Sequence, residues 1–233
     1  MIKIVIISDT HNRHAQVPQG EGDLLLHAGD LTSGGTPAEA QLVLDWLATQ
    51  KKYYKHVIFT AGNHDYFFQW ENSLAEEMAR ERGIVYLQQK EVVVEGLNIW
   101  GSPVTPNYGS MAFNADRGHN IRRIWEMIPM DVNILLTHSP PMYMHDKVQE
   151  QDGRMRYSGC EDLANHVQHR KPVLHCFGHI HNQYGFTKFN DITFVNASVL
   201  NDDYVFAHQP ITAYLDQVEG KWEVINIHQG LTS

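Results

Sequence analysis

The sequence predicts an α/β fold, and three features of the 233-residue chain support this prediction. Short apolar runs rich in β-branched residues alternate with segments that carry helix-capping signals, which is the order typical of a layered α/β sheet. Several of these runs end in a polar turn, as residues 2–7 do before Ser8-Asp9-Thr10-His11. Beyond residue 183 the chain consists of strand patterns separated by turn residues.

Strands and helices alternate in the first part of the chain. Three apolar runs without polar alternation predict buried strands, at residues 2–7, 23–28 and 56–61. Thr36 and Glu39 form a capping box around Pro37, which predicts a helix that runs to about residue 52. A second helix is predicted from residue 73 to residue 83, where a glycine ends the pattern.

The remainder begins with a hairpin and becomes rich in strands. Further strands are predicted at residues 92–94, 97–101, 132–136, 173–177, 184–189, 192–196, 211–216 and 222–227. Short helices are predicted at 121–127 and 160–169, and irregular segments at 103–118 and 142–157. Because no internal repeat, low-complexity segment or linker interrupts this order, we expect residues 1–233 to form a single domain.

Composition limits the range of functions. No apolar stretch approaches the roughly 20 residues needed to span a bilayer, and the N-terminal run is too short for a signal peptide. We therefore expect no membrane partner. The two cysteines, Cys160 and Cys176, form no disulfide framework, which indicates a reducing compartment, so we expect a cytoplasmic protein. A net charge of −9 argues against binding long nucleic acid, although bound cations would offset this acidity at a small anionic substrate.

Potential metal ligands follow five of the strand-like runs. Gly178-His179-Ile180-His181 places two imidazoles at i and i+2 directly after the run 173–177, so both point the same way at the carboxyl end of a strand. Four other strand ends also offer only oxygen and imidazole groups. The complete set is Asp9, His11, Asp30, Asn63, His138, His179 and His181.

Seven ligands are more than one ion needs, and a carboxylate such as Asp30 can bridge two cations. Imidazole-rich sets favour transition ions over Mg or Ca, so we expect two divalent ions, with Mn first and Fe, Ni, Co or Zn as alternatives. Two ions about 3.5–4 Å apart suit in-line displacement at phosphorus. His64, which follows the ligand Asn63, is then placed to protonate the departing oxygen or, alternatively, only to orient the phosphate.

The five blocks D-x-H, G-D, G-N-H-D, H and G-H-x-H, in this order between residues 9 and 181, resemble the calcineurin-like metallophosphoesterase superfamily. This resemblance implies a four-layer α/β/β/α sandwich. It also implies that Asp30 is shared by the two ions. Asp9, His11 and His181 would complete the first ion's ligands, and Asn63, His138 and His179 those of the second.

Further segments are similar to the metallophosphoesterase-domain-containing proteins, which are described as cyclic-nucleotide phosphodiesterases of broad specificity. These segments are residues 29–37, 112–114, 117–118, 128–129, 137–141, 159–160 and 177–181, together with Trp125. Some family members carry glycine in place of the first histidine of G-H-x-H, whereas this chain keeps His179. The resemblance to phosphoprotein phosphatases is poorer, because Ser33 and Gly34 stand where those enzymes have Asp and Arg. The group that orients His64 is therefore left open.

Contacts with substrate are the least constrained part of the prediction. Asn63 is expected to contact substrate as well as metal. Arg13, Arg117 and Arg156 could bind phosphate oxygens or simply be solvated. Phe113 and Asn114 could line a nucleobase pocket, with core packing as the alternative for Phe113.

We therefore expect a dinuclear metal-dependent phosphodiesterase that acts on cyclic nucleotides or similar small phosphodiesters by attack of a metal-bridging hydroxide. A phosphomonoesterase, a nuclease for short substrates and a non-catalytic docking scaffold of the same fold are the alternatives. The segments 103–118 and 142–157 are expected to wall the substrate pocket.

Overall fold

The computed structural model describes residues 1–150 and 152–231, which form sixteen strands and five α-helices. The strands are β1 (Ile2–Ile7), β2 (Gly22–Ala28), β3 (Tyr54–Thr60), β4 (Val85–Tyr86), β5 (Lys90–Val94), β6 (Leu97–Ser102), β7 (Thr105–Pro106), β8 (Asn114–Ala115), β9 (Ile134–Thr137), β10 (Lys147–Gln149), β11 (Met155–Tyr157), β12 (Leu174–Phe177), β13 (Gly185–Phe189), β14 (Ile192–Asn196), β15 (Ile211–Val218) and β16 (Lys221–Gln229). The helices are α1 (Pro37–Gln50), α2 (Tyr66–Trp70), α3 (Asn72–Glu81), α4 (His119–Trp125) and α5 (Glu161–Arg170). Within the described ranges, no helix is both long and apolar enough to cross a membrane.

Two six-stranded mixed sheets contain most of these strands. The first has the order β16-β15-β1-β2-β3-β4, and the second has the order β13-β14-β12-β9-β6-β5. In each sheet four neighbouring strands are parallel, namely β1 to β4 in the first sheet and β6, β9, β12 and β14 in the second. The antiparallel strands flank these parallel groups.

The packing of apolar side chains defines four layers. Ile4 and Ile6 of β1 lie in a cluster with residues of the second sheet, whereas Val5 and Ile7 pack with α1, α2 and α3 on the other face. The second sheet buries its outer face against α4 and α5. Both faces of each central strand are therefore covered, which explains why the apolar runs show no polar alternation. The predicted four-layer α/β/β/α sandwich is confirmed.

The largest difference from the sequence prediction lies within residues 142–157. We predicted a loop there, and this is wrong, because β10 and β11 form an antiparallel hairpin with Lys147 opposite Tyr157. Most of the side chains of this hairpin are exposed, so no buried face imposes an apolar pattern on its sequence. Helix α2, which is five residues long, was also not predicted. The irregular segment 103–118 contains only the two-residue strands β7 and β8.

Backbone hydrogen bonds join the two sheets at the carboxyl ends of their parallel strands. The Ser8 amide donates to the Ala197 carbonyl at 2.9 Å, and the Val199 amide donates to the Ser8 carbonyl at 3.0 Å. The imidazole Nδ1 of His138, which follows β9, lies 2.9 Å from the Ala28 carbonyl of β2. The turns after β1, β2, β3, β9 and β12 are therefore brought to one end of the sandwich.

His175 in β12 is a buried histidine that the fold keeps neutral. Thr137 donates its hydroxyl proton to the Ser139 carbonyl at 2.7 Å, so the His175 Nε2–H donates to the Thr137 oxygen at 2.9 Å. Among the described residues, the buried His175 Nδ1 has no hydrogen-bond partner. Burial lowers the pKa of His175 to about 3.

The depressed pKa of His175 should make the protein sensitive to acid. Below pH ~6.5 the unfolded chain binds a proton that the folded chain does not, so stability is lost as the pH falls from 6.5 toward 3. His175→Leu should reduce the slope of unfolding free energy against pH by up to about 1.4 kcal/mol per pH unit in this window. Urea unfolding between pH 7 and pH 4.5 measures this slope, with the exposed His119→Leu as control. An unchanged slope in the His175 variant would contradict the prediction.

Candidate metal centre

Four of the seven predicted ligands adopt left-handed backbone conformations in the turns that follow the strands. Their φ angles are +54° for Asp9, +39° for His11, +52° for Asp30 and +71° for His179. Such conformations are strained for residues with a side chain and persist only where the surroundings impose them. The strained turns aim the ligand side chains inward from the sheet ends.

Glycines next to the ligands are required by close packing. A Cβ at Gly178 would overlap the Asp9 carboxylate and the Ser8 hydroxyl, and a Cβ at Gly62 would overlap the Asp30 carboxylate. The G-N-H-D and G-H-x-H blocks therefore begin with glycine because a carboxylate lies against the backbone at each place.

The structure brings all seven predicted ligands together. Six of them and His64 form three overlapping groups whose carboxylate and imidazole atoms lie within 4.8 Å of one another, namely Asp9–His11–His181, His11–Asp30–His64 and Asp30–His138–His179. The seventh ligand, Asn63, joins them because its Oδ1 lies 3.0 Å from His138 Nε2. Asp30 Oδ2 lies between two histidines, at 3.3 Å from His138 Nε2 and 3.6 Å from His11 Nε2.

Backbone carbonyls orient three of the ligand imidazoles. Each ring donates from Nδ1 to a carbonyl, at 3.1 Å from His11 to Thr32, 2.9 Å from His138 to Ala28 and 3.0 Å from His181 to Asn201. This bond fixes the tautomer and leaves Nε2 facing the carboxylates, as in metal-bound histidines. Within the described residues, the buried Nε2 of His11 has no hydrogen-bond partner.

The two ligand carboxylates are held in their charged form. Asp9 accepts hydrogen bonds from the Ser198 hydroxyl at 2.6 Å and from the His179 amide at 3.1 Å. Burial favours the neutral acid, but His181 and other nearby imidazoles outweigh it and lower the pKa of Asp9 well below its usual value. The pKa of Asp30 is lowered in the same way, against burial, by His138 and His11.

Positive charge on two histidines balances these carboxylates. Burial opposes the imidazolium form of His138, but Asp30 outweighs it and raises the pKa of His138 to about 9. Asp9 likewise raises the pKa of His181 to about 9 against burial. By contrast, burial lowers the pKa of His179 to about 4. Cations at these positions would supply the same charge, and the mixed oxygen and imidazole donors fit two divalent transition ions that share Asp30.

His64 lies at the edge of this cluster, half-buried. Its amide donates to Asp30 Oδ1 at 2.8 Å, and its Nδ1 lies 3.0 Å from the Ser33 carbonyl. Because a carbonyl only accepts, Nδ1 carries the proton and Nε2 is left for a substrate. The group that orients His64, which the sequence left open, is thus a backbone carbonyl. No side-chain signature in the sequence could have indicated it.

Asp65 was not predicted as a site residue, although it belongs to the G-N-H-D block. Its buried carboxylate accepts from the amides of Leu31, Thr32 and Gly62 at 2.8–3.1 Å and from the Thr32 hydroxyl at 2.6 Å. Burial and the nearby Asp30 raise the pKa of Asp65 to about 6. Asp65 therefore ties the turn that carries Asp30 to the turn that carries Asn63.

Tyr204 is a second residue that sequence reasoning missed. Its ring centroid lies 4.8 Å from that of His11, 5.3 Å from that of His181 and 6.4 Å from that of His64. It follows three polar residues, 201–203, and lies outside every predicted strand and helix, so no periodic pattern marks it.

Two cavities flank the cluster. One, of about 480 Å³, is lined by His11, Asn12, Arg13, Ser33, His64 and Tyr204. The other, of about 270 Å³, lies beside His179 and is lined mainly by residues 106–108, Arg117, Arg156 and Ser158. The second cavity thus lies between the segment 103–118 and the β10–β11 hairpin.

The predicted substrate residues have different locations. Arg13 lines the first cavity, while Arg117 and Arg156 line the second. The Arg117 guanidinium also donates to the Ser158 and Gly159 carbonyls at 2.8 and 2.9 Å. Phe113, only 6% exposed, belongs to the apolar cluster between the first sheet and its helices, and Asn114 bonds to Thr105, Tyr108 and Gly109. Neither of these two is among the described residues that line the two cavities, and all the substrate contacts stay predictions.

Comparison with known proteins places this arrangement in a family. Residues 2–183 match the family model described as calcineurin-like phosphoesterase. Metallophosphoesterase domain-containing protein 1 of Homo sapiens is 37% identical over 231 residues, which cover 90% of this chain and 69% of the human protein. UPF0046 protein K07C11.7 of Caenorhabditis elegans is 33% identical over 226 residues, which cover 92% of this chain and 75% of that protein.

Solved structures share the fold. Phosphopantetheinyl hydrolase from Mycobacterium tuberculosis aligns with a TM-score of 0.59 at 17% identity, over 87% of this chain and 90% of that one. TT1561 of Thermus thermophilus aligns with a TM-score of 0.56 at 13% identity, over 84% of this chain and 88% of that one. The fold, the cluster of aspartates and histidines and the sequence match agree, and the chain belongs to the calcineurin-like phosphoesterase family.

Proposed function

We propose that this protein is a dinuclear metal-dependent phosphodiesterase that hydrolyses small phosphodiesters, with cyclic nucleotides as the favoured class. The observation that carries the proposal is the pair of cavities on either side of the Asp30 cluster, one beside His64 and one beside His179. An open diester carries two separate ester groups on its phosphorus, and each cavity has room for one of them, whereas a monoester would use only one cavity. In a cyclic nucleotide both ester oxygens belong to one ribose, and this class is proposed from the resemblance to the metallophosphoesterase-domain-containing proteins.

Metal ions, when bound, would lower the pKa of a water molecule and neutralise charge on the phosphoryl oxygens. Asp9, Asp30, Asn63 and the four ligand histidines would hold them. We propose manganese, because the set combines carboxylate and amide oxygens with imidazole.

His64 has the geometry of the proton donor to the leaving group. In this proposal His64 enters the step as an imidazolium, protonated on both nitrogens. When the bond between phosphorus and the leaving oxygen breaks, the alkoxide takes the Nε2 proton, and the neutral His64 keeps its proton on Nδ1. The Ser33 carbonyl accepts from Nδ1 and so keeps Nε2 turned toward the first cavity. The leaving oxygen therefore lies on the side lined by His64 and Tyr204. In an open diester the retained ester group occupies the cavity beside His179, whereas in a cyclic nucleotide the ring opens and the leaving oxygen stays on the same ribose.

Loss of His64 should slow hydrolysis more when the leaving group needs a proton than when it leaves as a stable anion. His64→Ala should reduce kcat for a 2′,3′-cyclic nucleotide by about 10²–10⁴-fold, because its alkoxide needs a proton. The loss should be smaller for bis(p-nitrophenyl) phosphate, whose phenolate leaves unprotonated. Steady-state kinetics with matched metal content measure both, with His119→Ala as control. Equal losses on the two substrates would show that His64 only orients the phosphate.

Metal binding should depend on Asp30 more than on any single histidine. Wild-type protein stripped with a chelator and reloaded with Mn should bind two ions per chain. Asp30→Asn should lose both, because it removes the shared ligand, whereas His179→Ala and His181→Ala should each weaken one. Elemental analysis after gel filtration gives the stoichiometry. Two tightly bound ions in the Asp30 variant would refute a shared site.

Diesters should be better substrates than the corresponding monoesters. We expect kcat/KM for cyclic nucleotides and bis(p-nitrophenyl) phosphate to exceed that for nucleotide monoesters and p-nitrophenyl phosphate by about tenfold or more, equivalent to ~1.4 kcal/mol in transition-state binding. Parallel assays with Mn, Ni, Zn and Mg measure the ratio. A preference for monoesters would favour the phosphomonoesterase alternative, and no turnover with any ion would favour the scaffold.

A further inference from the structure

We propose that Tyr204 is a substrate-contacting residue, whose phenol donates a hydrogen bond to a phosphoryl oxygen of an ester bound at the candidate metal centre. The inference rests on the proposed function, because it requires a phosphate group bound at the candidate metal centre.

The position of Tyr204 is the first argument. Its ring packs edge-on against His11 at 4.8 Å and against His181 at 5.3 Å between centroids, so it covers the first metal's histidines. It also lines the cavity of about 480 Å³ together with His64 and Arg13. The residue is 42% exposed, so one side of the ring is packed on the site while the rest faces open space.

The backbone that carries Tyr204 is the second argument. Its φ of +58° is a left-handed conformation that is unusual for an aromatic residue. The Asn201 carbonyl fixes it by accepting from the Tyr204 amide at 2.9 Å and from His181 Nδ1 at 3.0 Å. One carbonyl thus holds both a predicted metal ligand and the tyrosine. A strained backbone that its surroundings hold in place, beside the candidate metal centre, points to a role for Tyr204 in that centre.

The Tyr204 hydroxyl is the third argument. Tyrosine hydroxyls elsewhere are used by the fold, as in the bonds from Tyr66 to the Ser110 carbonyl at 2.9 Å and from Tyr184 to the Gln209 carbonyl at 2.7 Å. None of the hydrogen bonds among the described residues involves the hydroxyl of Tyr204. A donor that the fold does not use, next to His64 and Arg13, suits an anionic oxygen.

A hydrogen bond from a neutral donor to a charged oxygen is worth about tenfold or more in affinity. Tyr204→Phe removes only the hydroxyl and leaves the ring on the histidines. In the Mn-loaded protein, we expect the Kd for inorganic phosphate, measured by calorimetry, to rise about tenfold. We expect kcat/KM for bis(p-nitrophenyl) phosphate to fall by a similar factor, while Mn content and Tm stay at wild-type values. Tyr143→Phe, at an exposed tyrosine that packs on Tyr157, is the matched control.

Unchanged phosphate affinity in Tyr204→Phe would overturn the inference, and so would loss of Mn, which would show that Tyr204 only supports the ligands. The two proposals fail separately. If wild-type protein hydrolyses no phosphoester but binds phosphate in a manner that depends on the Tyr204 hydroxyl, the proposed function is wrong and the contact holds. If hydrolysis proceeds and phosphate binds both proteins equally, the contact is wrong and the function holds.

Discussion

A charged carboxylate buried at the end of β2 is the constraint on which the rest of the site depends. Asp30 is 2% exposed and its backbone is left-handed, yet neighbouring imidazoles keep its pKa below the usual value. An unpaired carboxylate at such a place would cost several kcal/mol. Positive charge must therefore lie on both sides of it, either as imidazolium or as cations. The turns that carry His11 and His138 come from different sheets, and Asp30 brings them together.

The second carboxylate extends this constraint across the sandwich. Asp9 leaves the first sheet and accepts from the His179 amide and the Ser198 hydroxyl of the second. Neither sheet alone can assemble the ligands, because each supplies only part of the set. Packing of the two sheets and formation of the site are consequently one event, and cations that bind the cluster would stabilise the same interface.

The sequence predicted those parts of the molecule that side chains encode. The buried strands followed from apolar runs, and the ligands followed from carboxylates and imidazoles at the strand ends. The hairpin of β10 and β11 could not be predicted, because its exposed side chains carry no apolar period. The Ser33 carbonyl that orients His64 could not be predicted either, since every residue has a carbonyl and only the folded turn decides which one it meets. Tyr204 depends on a left-handed turn that sequence patterns do not reveal.

The choice of carbonyls as orienting groups has an electrostatic consequence. His11, His138, His181 and His64 are all fixed through Nδ1 by neutral backbone oxygens. These carbonyl partners set the ring directions without adding negative charge. The negative charge of the seven-ligand set therefore comes from Asp9 and Asp30 alone. Two divalent cations bound there would leave the ligand set with a net charge of about +2. A surplus of positive charge attracts and retains an anionic phosphate ester, which is why neutral partners suit this site better than further acids would.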